Sequence, residues 1–162
     1  MKINLLLLLS LVFLFSSACK KNNPPPYYPP YGSYYDPNVA PPYADPYVTG
    51  PTQYYYPGTY TTSYYGQYNN GVPTGYWKFF YPDGRLMKEG NYENGVSSGY
   101  WKFFYPQGGL SQEGNYQNGV PSGYWKYYDP SGFKSSEGNY SNGVRQGEWK
   151  FYTPNGMSVV YY

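Results

Sequence analysis

One line of sequence is written four times in this chain, and that repetition constrains the fold more tightly than any other feature. Aligned on a glycine it reads GQYNNGVPTGYWKFFYPDGRLMKE from Gly66, GNYENGVSSGYWKFFYPQGGLSQE from Gly90, GNYQNGVPSGYWKYYDPSGFKSSE from Gly114 and GNYSNGVRQGEWKFYTPNGMSVVYY from Gly138. The copies follow one another every 24 residues with no insertion. A fixed period of this size marks a supersecondary unit stacked on copies of itself.

Each copy holds two turn signals. The first is Asn-Gly, at Asn70-Gly71, Asn94-Gly95, Asn118-Gly119 and Asn142-Gly143. Asn tolerates positive φ and Gly adopts it freely, which is what a two-residue hairpin turn requires. The second is Pro-x-Gly, as in Pro82-Asp83-Gly84. Proline cannot sit inside a central ladder, so it fixes a strand end. Between the turns lie aromatic segments of strand length, and no stretch of 60–162 has a helical apolar period. The predicted fold is all-β: a single-layer antiparallel β-meander of 24-residue β-hairpin repeats.

Register follows from the alternation of side chains along a strand. If both turns are two-residue, Lys78 falls opposite Glu89, Lys102 opposite Glu113 and Lys126 opposite Glu137. Opposite charges facing across a ladder are favourable by roughly 0.2–1 kcal/mol each. A three-residue Pro-Asp-Gly loop would need a compensating bulge, at Gly90 or Gly99. The same register sets Trp77 over Gly90, on a face shared with Phe79, Tyr81 and Tyr92. Tyr76, Phe80 and Met87 go to the other face with the charges.

The rings must supply the core. Aromatic residues make up 24% of the chain and tyrosine alone accounts for 27 positions, while aliphatic residues are scarce beyond the amino-terminal run. Trp77, Trp101, Trp125 and Trp149, with Gly90, Gly114 and Gly138, are therefore expected to be structural. A single layer cannot bury both faces. Tyr76, Phe80, Tyr100, Phe104, Tyr124 and Tyr128 are expected to form an exposed aromatic surface, and such surfaces mark interaction sites.

No catalytic constellation is present. The chain has no histidine, so Ser/His and Cys/His nucleophile pairs are excluded. Glu89, Glu113 and Glu137 recur with a lysine opposite each, as structural pairs do. One carboxylate per unit offers too few oxygens for calcium. No metal, cofactor or enzymatic activity is expected, and a net charge of +2 gives no argument for nucleic acid.

The amino terminus reads as an export signal over 1–18: Lys2, the apolar run from Ile3 to Phe15, then Ser16-Ser17-Ala18. Cys19, the single cysteine, follows these small residues as in the lipobox of bacterial lipoproteins, although Ser16 stands where that motif usually has Leu, Val or Ile. The resemblance implies cleavage before Cys19, lipidation of Cys19, and membrane attachment through the lipid. Lys20 is not the aspartate that retains such proteins in an inner membrane, so the outer membrane of a bacterium is the expected location. Residues 19–52 are rich in Pro and Tyr and read as a disordered tether. The repeat domain then covers 53–162, with a degenerate cap at 53–65.

The line G-x-W-K-F-Y-x-x-x-G followed by E-G-x-Y-x-N-G-V-x-x-G resembles the MORN-repeat variant of the YwqK-like antitoxin family, over about 53–162. That family has no catalytic residues to transfer. The resemblance implies a non-enzymatic exported lipoprotein whose sheet binds another protein, a toxin among the candidates, or serves as an envelope scaffold. The alternative reading is a module that binds carbohydrate of the cell wall, since exposed rings on hairpins also stack on sugars.

Overall fold

A computed structural model describes residues 46–162. The leader at 1–18, Cys19 and the 20–45 part of the expected tether lie outside the described residues. Ten strands form one antiparallel sheet in chain order, each bonded to the next: β1 (Gly50–Tyr55), β2 (Thr62–Asn69), β3 (Val72–Phe80), β4 (Leu86–Glu93), β5 (Val96–Phe104), β6 (Leu110–Gln117), β7 (Val120–Tyr128), β8 (Lys134–Ser141), β9 (Val144–Thr153) and β10 (Gly156–Tyr161). No helix occurs among the described residues. The all-β, single-layer meander is as the repeat predicts. The sheet begins at Gly50, within the stretch expected as tether, because Gly50–Tyr54 pairs with Tyr64–Tyr68.

The Asn-Gly turns have the geometry that their chemistry demands. Asn70, Asn94, Asn118 and Asn142 have φ of 49–52°, and the glycines that follow have φ of 75–81°. Two successive positive φ values make the mirror-image turn that matches strand twist. Each of these glycines also donates its N–H to a carbonyl one repeat earlier: Gly95 to Pro73, Gly119 to Ser97 and Gly143 to Pro121, each at 3.0 Å.

The first three Pro-x-Gly turns are three-residue loops rather than two-residue ones, whereas in the fourth Thr153 pairs directly with Gly156 around a two-residue Pro154-Asn155 turn. Gly84 donates to the Tyr81 carbonyl and Tyr81 donates to that of Arg85, both at 2.8 Å. Gly84 takes the left-handed position with φ of 85°. The compensating irregularity lies at Met87, between the pairs Phe79↔Lys88 and Phe80↔Leu86. Beyond it the register returns to the predicted one, Lys78↔Glu89 and Trp77↔Gly90. Met87 is buried with the aromatic core instead of lying on the charged face, as the extra residue of a bulge, which breaks the strict alternation of faces.

A second bulge changes the other pairing. Between Asn91↔Ser98 and Glu89↔Lys102, strand β4 spends one residue, Gly90, where β5 spends three, Gly99 to Trp101. Gly99 takes φ of 67° there, and Gly75, Gly123 and Gly147 do the same in the other repeats. The bulge brings Lys102 opposite Glu89 on one side and Glu113 on the other. Lysine and glutamate therefore alternate from Lys78 in β3 to Lys150 in β9, one per strand.

The core is a column of tryptophans on the opposite face, and Trp77, Trp101, Trp125 and Trp149 are all fully buried. Each ring lies on the glycine of the strand before it: Trp77 on Gly66, Trp101 on Gly90, Trp125 on Gly114 and Trp149 on Gly138. This corrects the expectation that Trp77 covers Gly90, its partner in the following strand. Each indole meets a tyrosine edge-on, with centroids 4.9 Å apart for Tyr68–Trp77, 5.0 Å for Tyr92–Trp101, 5.2 Å for Tyr116–Trp125 and 5.1 Å for Tyr140–Trp149. Such pairs contribute about 0.5–1.5 kcal/mol beyond their area. The indole N–H groups are satisfied by backbone carbonyls, as in Trp101 to Asn91 at 3.1 Å. Lys88 is buried on this face as well, its ammonium 4.4 Å from the centre of the Phe79 ring.

Candidate binding surface

The face away from the tryptophans is built from three parallel columns. The middle one is the Lys/Glu ladder. On the side toward the Asn-Gly turns stand Tyr76, Tyr100 and Tyr124, at 46%, 45% and 44% exposure. On the side toward the Pro-x-Gly turns stand Phe80, Phe104 and Tyr128, all half-buried. Ordinary alternation along each strand sends the tyrosine outward and the tryptophan after it into the core. Equivalent side chains in adjacent repeats are two strands apart, about 9.5 Å. The structure thus brings all six sequence-predicted surface residues onto one face, in two columns of three.

The tyrosine hydroxyls lie beside the carboxylates of the ladder, Tyr76 near Glu89, Tyr100 near Glu113 and Tyr124 near Glu137. Tyr128 donates to Glu113 at 2.9 Å from the other side, and Tyr152 donates to Glu137 at 2.5 Å. Partial burial, and then the hydrogen bond and charge of the glutamate, push Tyr76, Tyr100 and Tyr124 each up to about 12. These phenols stay protonated, and keep donating, well above neutral pH.

The ion pairs depart from simple cross-strand matching. Lys78 meets Glu89 at 3.6 Å as predicted. Glu113 pairs at 3.9 Å with Lys126 on the following strand rather than with Lys102, and Glu137 pairs at 2.8 Å with Lys134 of its own strand. The second bulge gives every inner glutamate a lysine on either side, so its side chain can choose. Burial opposes ionisation of Glu137, but hydrogen bonds from Lys134, Tyr152 and Tyr124 outweigh it and hold the carboxyl at about 2.

The cap and the fourth repeat break the columns. Tyr65 occupies the ladder position that glutamate holds in later repeats, and stacks on Phe80 with centroids 5.8 Å apart. Glu148 replaces the outward tyrosine in the fourth repeat and pairs with Lys150 at 3.3 Å. The continuous outward aromatic column thus has three members.

Sequence reasoning missed two supports of this face. Gly66 matters as much as Gly90, Gly114 and Gly138, since a Cβ there would lie 2.0 Å from the Trp77 ring. The second is a set of tyrosine straps along the Pro-x-Gly edge: Tyr56 donates to the Phe80 carbonyl at 2.5 Å, Tyr81 to Phe104 at 2.7 Å and Tyr105 to Tyr128 at 2.7 Å. The recurrence of tyrosine immediately before proline was the available signal. In the third repeat Asp129 takes that place and folds back on its own loop, accepting from the Ser131 and Phe133 N–H groups.

No curated protein matches the chain. A family profile described as MORN repeat variant matches residues 73–94, 98–118 and 145–159. These segments correspond to the hairpins β3–β4, β5–β6 and β9–β10, whose turns, bulge glycines and tryptophans have just been described. Over those three stretches the chain is similar to the MORN repeat variant.

Proposed function

We propose that this chain is a non-enzymatic binding module of a bacterial cell envelope, with the ladder face of its sheet as the contact surface. A repeat that extends one face by equal increments suits a binding module, and that much accords with MORN repeats. The observation that carries the proposal is the exposed column of Tyr76, Tyr100 and Tyr124, set with the half-buried column of Phe80, Phe104 and Tyr128 around a ladder of alternating charge. Tyr128 is held by its bond to Glu113 and Phe80 by stacking on Tyr65, so these rings lose little side-chain freedom on contact. The envelope location rests on the sequence of the amino terminus: a leader at 1–18, lipidated Cys19, and a Pro/Tyr-rich tether lifting the sheet from the outer membrane. The family resemblance supports a scaffold or toxin-neutralising role toward another protein. The even spacing of the rings supports a repetitive envelope glycan.

The experiment is purification of the tagged full-length protein from its own envelope after mild crosslinking, in parallel with Tyr100→Ala/Phe104→Ala. The expected result is a protein or glycan captured by the parent and lost from the variant, with Cys19→Ser shifting the parent out of the membrane fraction. Equal capture by parent and variant would remove the ladder face from consideration.

A further inference from the structure

From the same face we infer the class of its ligand: a neutral, linear β-1,4-linked glycan of the cell wall type, lying along the column Tyr76–Tyr100–Tyr124 and crossing the strands. This rests on the reading of the ladder face as the contact surface and adds to it the chemistry of what is bound.

Three observations select that chemistry. The first is pitch. The outward tyrosines recur every second strand, about 9.5 Å apart, and nothing interrupts the 24-residue spacing between them. A β-1,4-linked chain turns over at each sugar, so every second sugar presents the same face, at a comparable repeat. Each tyrosine would meet an equivalent sugar face.

The second is exposure. Tyr76, Tyr100 and Tyr124 are 44–46% exposed, whereas Phe80, Phe104 and Tyr128 beside them are half-buried. Three evenly spaced exposed rings can each receive the apolar face of a pyranose, whose axial C–H groups point at the π-cloud.

The third is the chemistry beside the rings. The ladder offers a lysine donor on every second strand, about 9.5 Å apart, with Lys78, Lys126 and Lys150 at 34–42% side-chain exposure, while the glutamates between them are engaged within the sheet, so each tyrosine station has a polar donor beside it. The alternation is close to neutral, with Lys78 through Lys150 set against Glu89, Glu113 and Glu137. Such a strip donates hydrogen bonds to hydroxyl and acetamido oxygens. It gives no net attraction to a polyanion. Glu148 ends the column after three rings, so the site has three stations, each spanning two sugars.

The test is titration of the full-length protein in detergent with β-1,4-linked N-acetylglucosamine oligomers of increasing length, and with a β-1,3-linked glucan of matched length. The expected result is affinity that rises from two to four to six sugars and then levels off, with little binding of the β-1,3 chain. Tyr100→Ala, at the central station, should weaken the longest oligomer several-fold and abolish the gain from four to six sugars. Tyr60→Ala, a fully exposed ring in the β1–β2 loop off this face, should change nothing. Unchanged tryptophan fluorescence in both variants separates loss of binding from loss of fold. Affinity that ignores chain length, or equal binding of the β-1,3 chain, overturns the glycan assignment. If no oligomer binds but a captured protein is released by Tyr100→Ala, the contact surface stands and the glycan falls. If neither is seen, both fall.

Discussion

At the scale of single residues the chain separates two uses of glycine that its sequence alone does not distinguish. Gly90 has an ordinary extended backbone, but a Cβ there would sit 2.2 Å from the Trp101 ring. Gly99 has open space around its Cα but a φ of 67°. Gly90→Ala should therefore cost about 3 kcal/mol, the upper range for overpacking a rigid core. Gly99→Ala should cost about 1–2 kcal/mol, the price of a side chain in the left-handed region. Urea denaturation of the two variants beside the parent measures both, and the reverse order would mean that the rings yield more easily than the backbone. The need for a glycine under each tryptophan was legible, because Trp and Gly recur together. Which glycine lies under which tryptophan was not. The register partner of Trp77 is Gly90, but the ring leans back across the strand onto Gly66, and a lean is invisible to a pairing argument.

At the scale of paired strands, the charge ladder shows how far turn arithmetic reaches. Counting residues through the turns gives Lys78↔Glu89 correctly, even though the Pro-Asp-Gly loop is longer than that count assumed. The bulge at Met87 absorbs the difference. The same counting misses Glu89↔Lys102, because Gly99 reads equally well as part of an ordinary strand. The ladder also sets a pH window. Glu137 has a carboxyl lowered from 4.5 to about 2. Its contribution to stability is complete above pH 4.5 and is lost as pH falls toward 2. Tyr100, Tyr124 and Tyr128 are raised from 10 to about 12. Their contribution is complete below pH 10 and is lost as pH rises toward 12. The urea midpoint should be flat between these limits and fall outside them, with Glu137→Gln flattening the acid limb. A phenolate absorbance titration should show these groups ionising near pH 12, and a single step at 10 would count against the hydroxyl–glutamate bonds.

At the scale of the whole sheet, contacts run almost entirely between neighbours, and stability should grow with the number of units. Inserting a second copy of residues 90–113 should leave the fold intact and raise the urea m-value by about a fifth, in proportion to the surface buried. An unchanged m-value would show that the extra hairpin does not dock. The architecture was legible because the repeat states it four times, while the place where the sheet starts was not, since Gly50–Tyr55 follows no copy of the line. One feature of the stacking gives the molecule a direction. The tryptophan of each unit rests on the glycine of the strand before it, and the inner Asn-Gly turns hand their glycine N–H back to the unit before. What a new hairpin needs is thus already behind it. A chain delivered amino end first can set each hairpin on a finished template, like courses of brick laid on the course below.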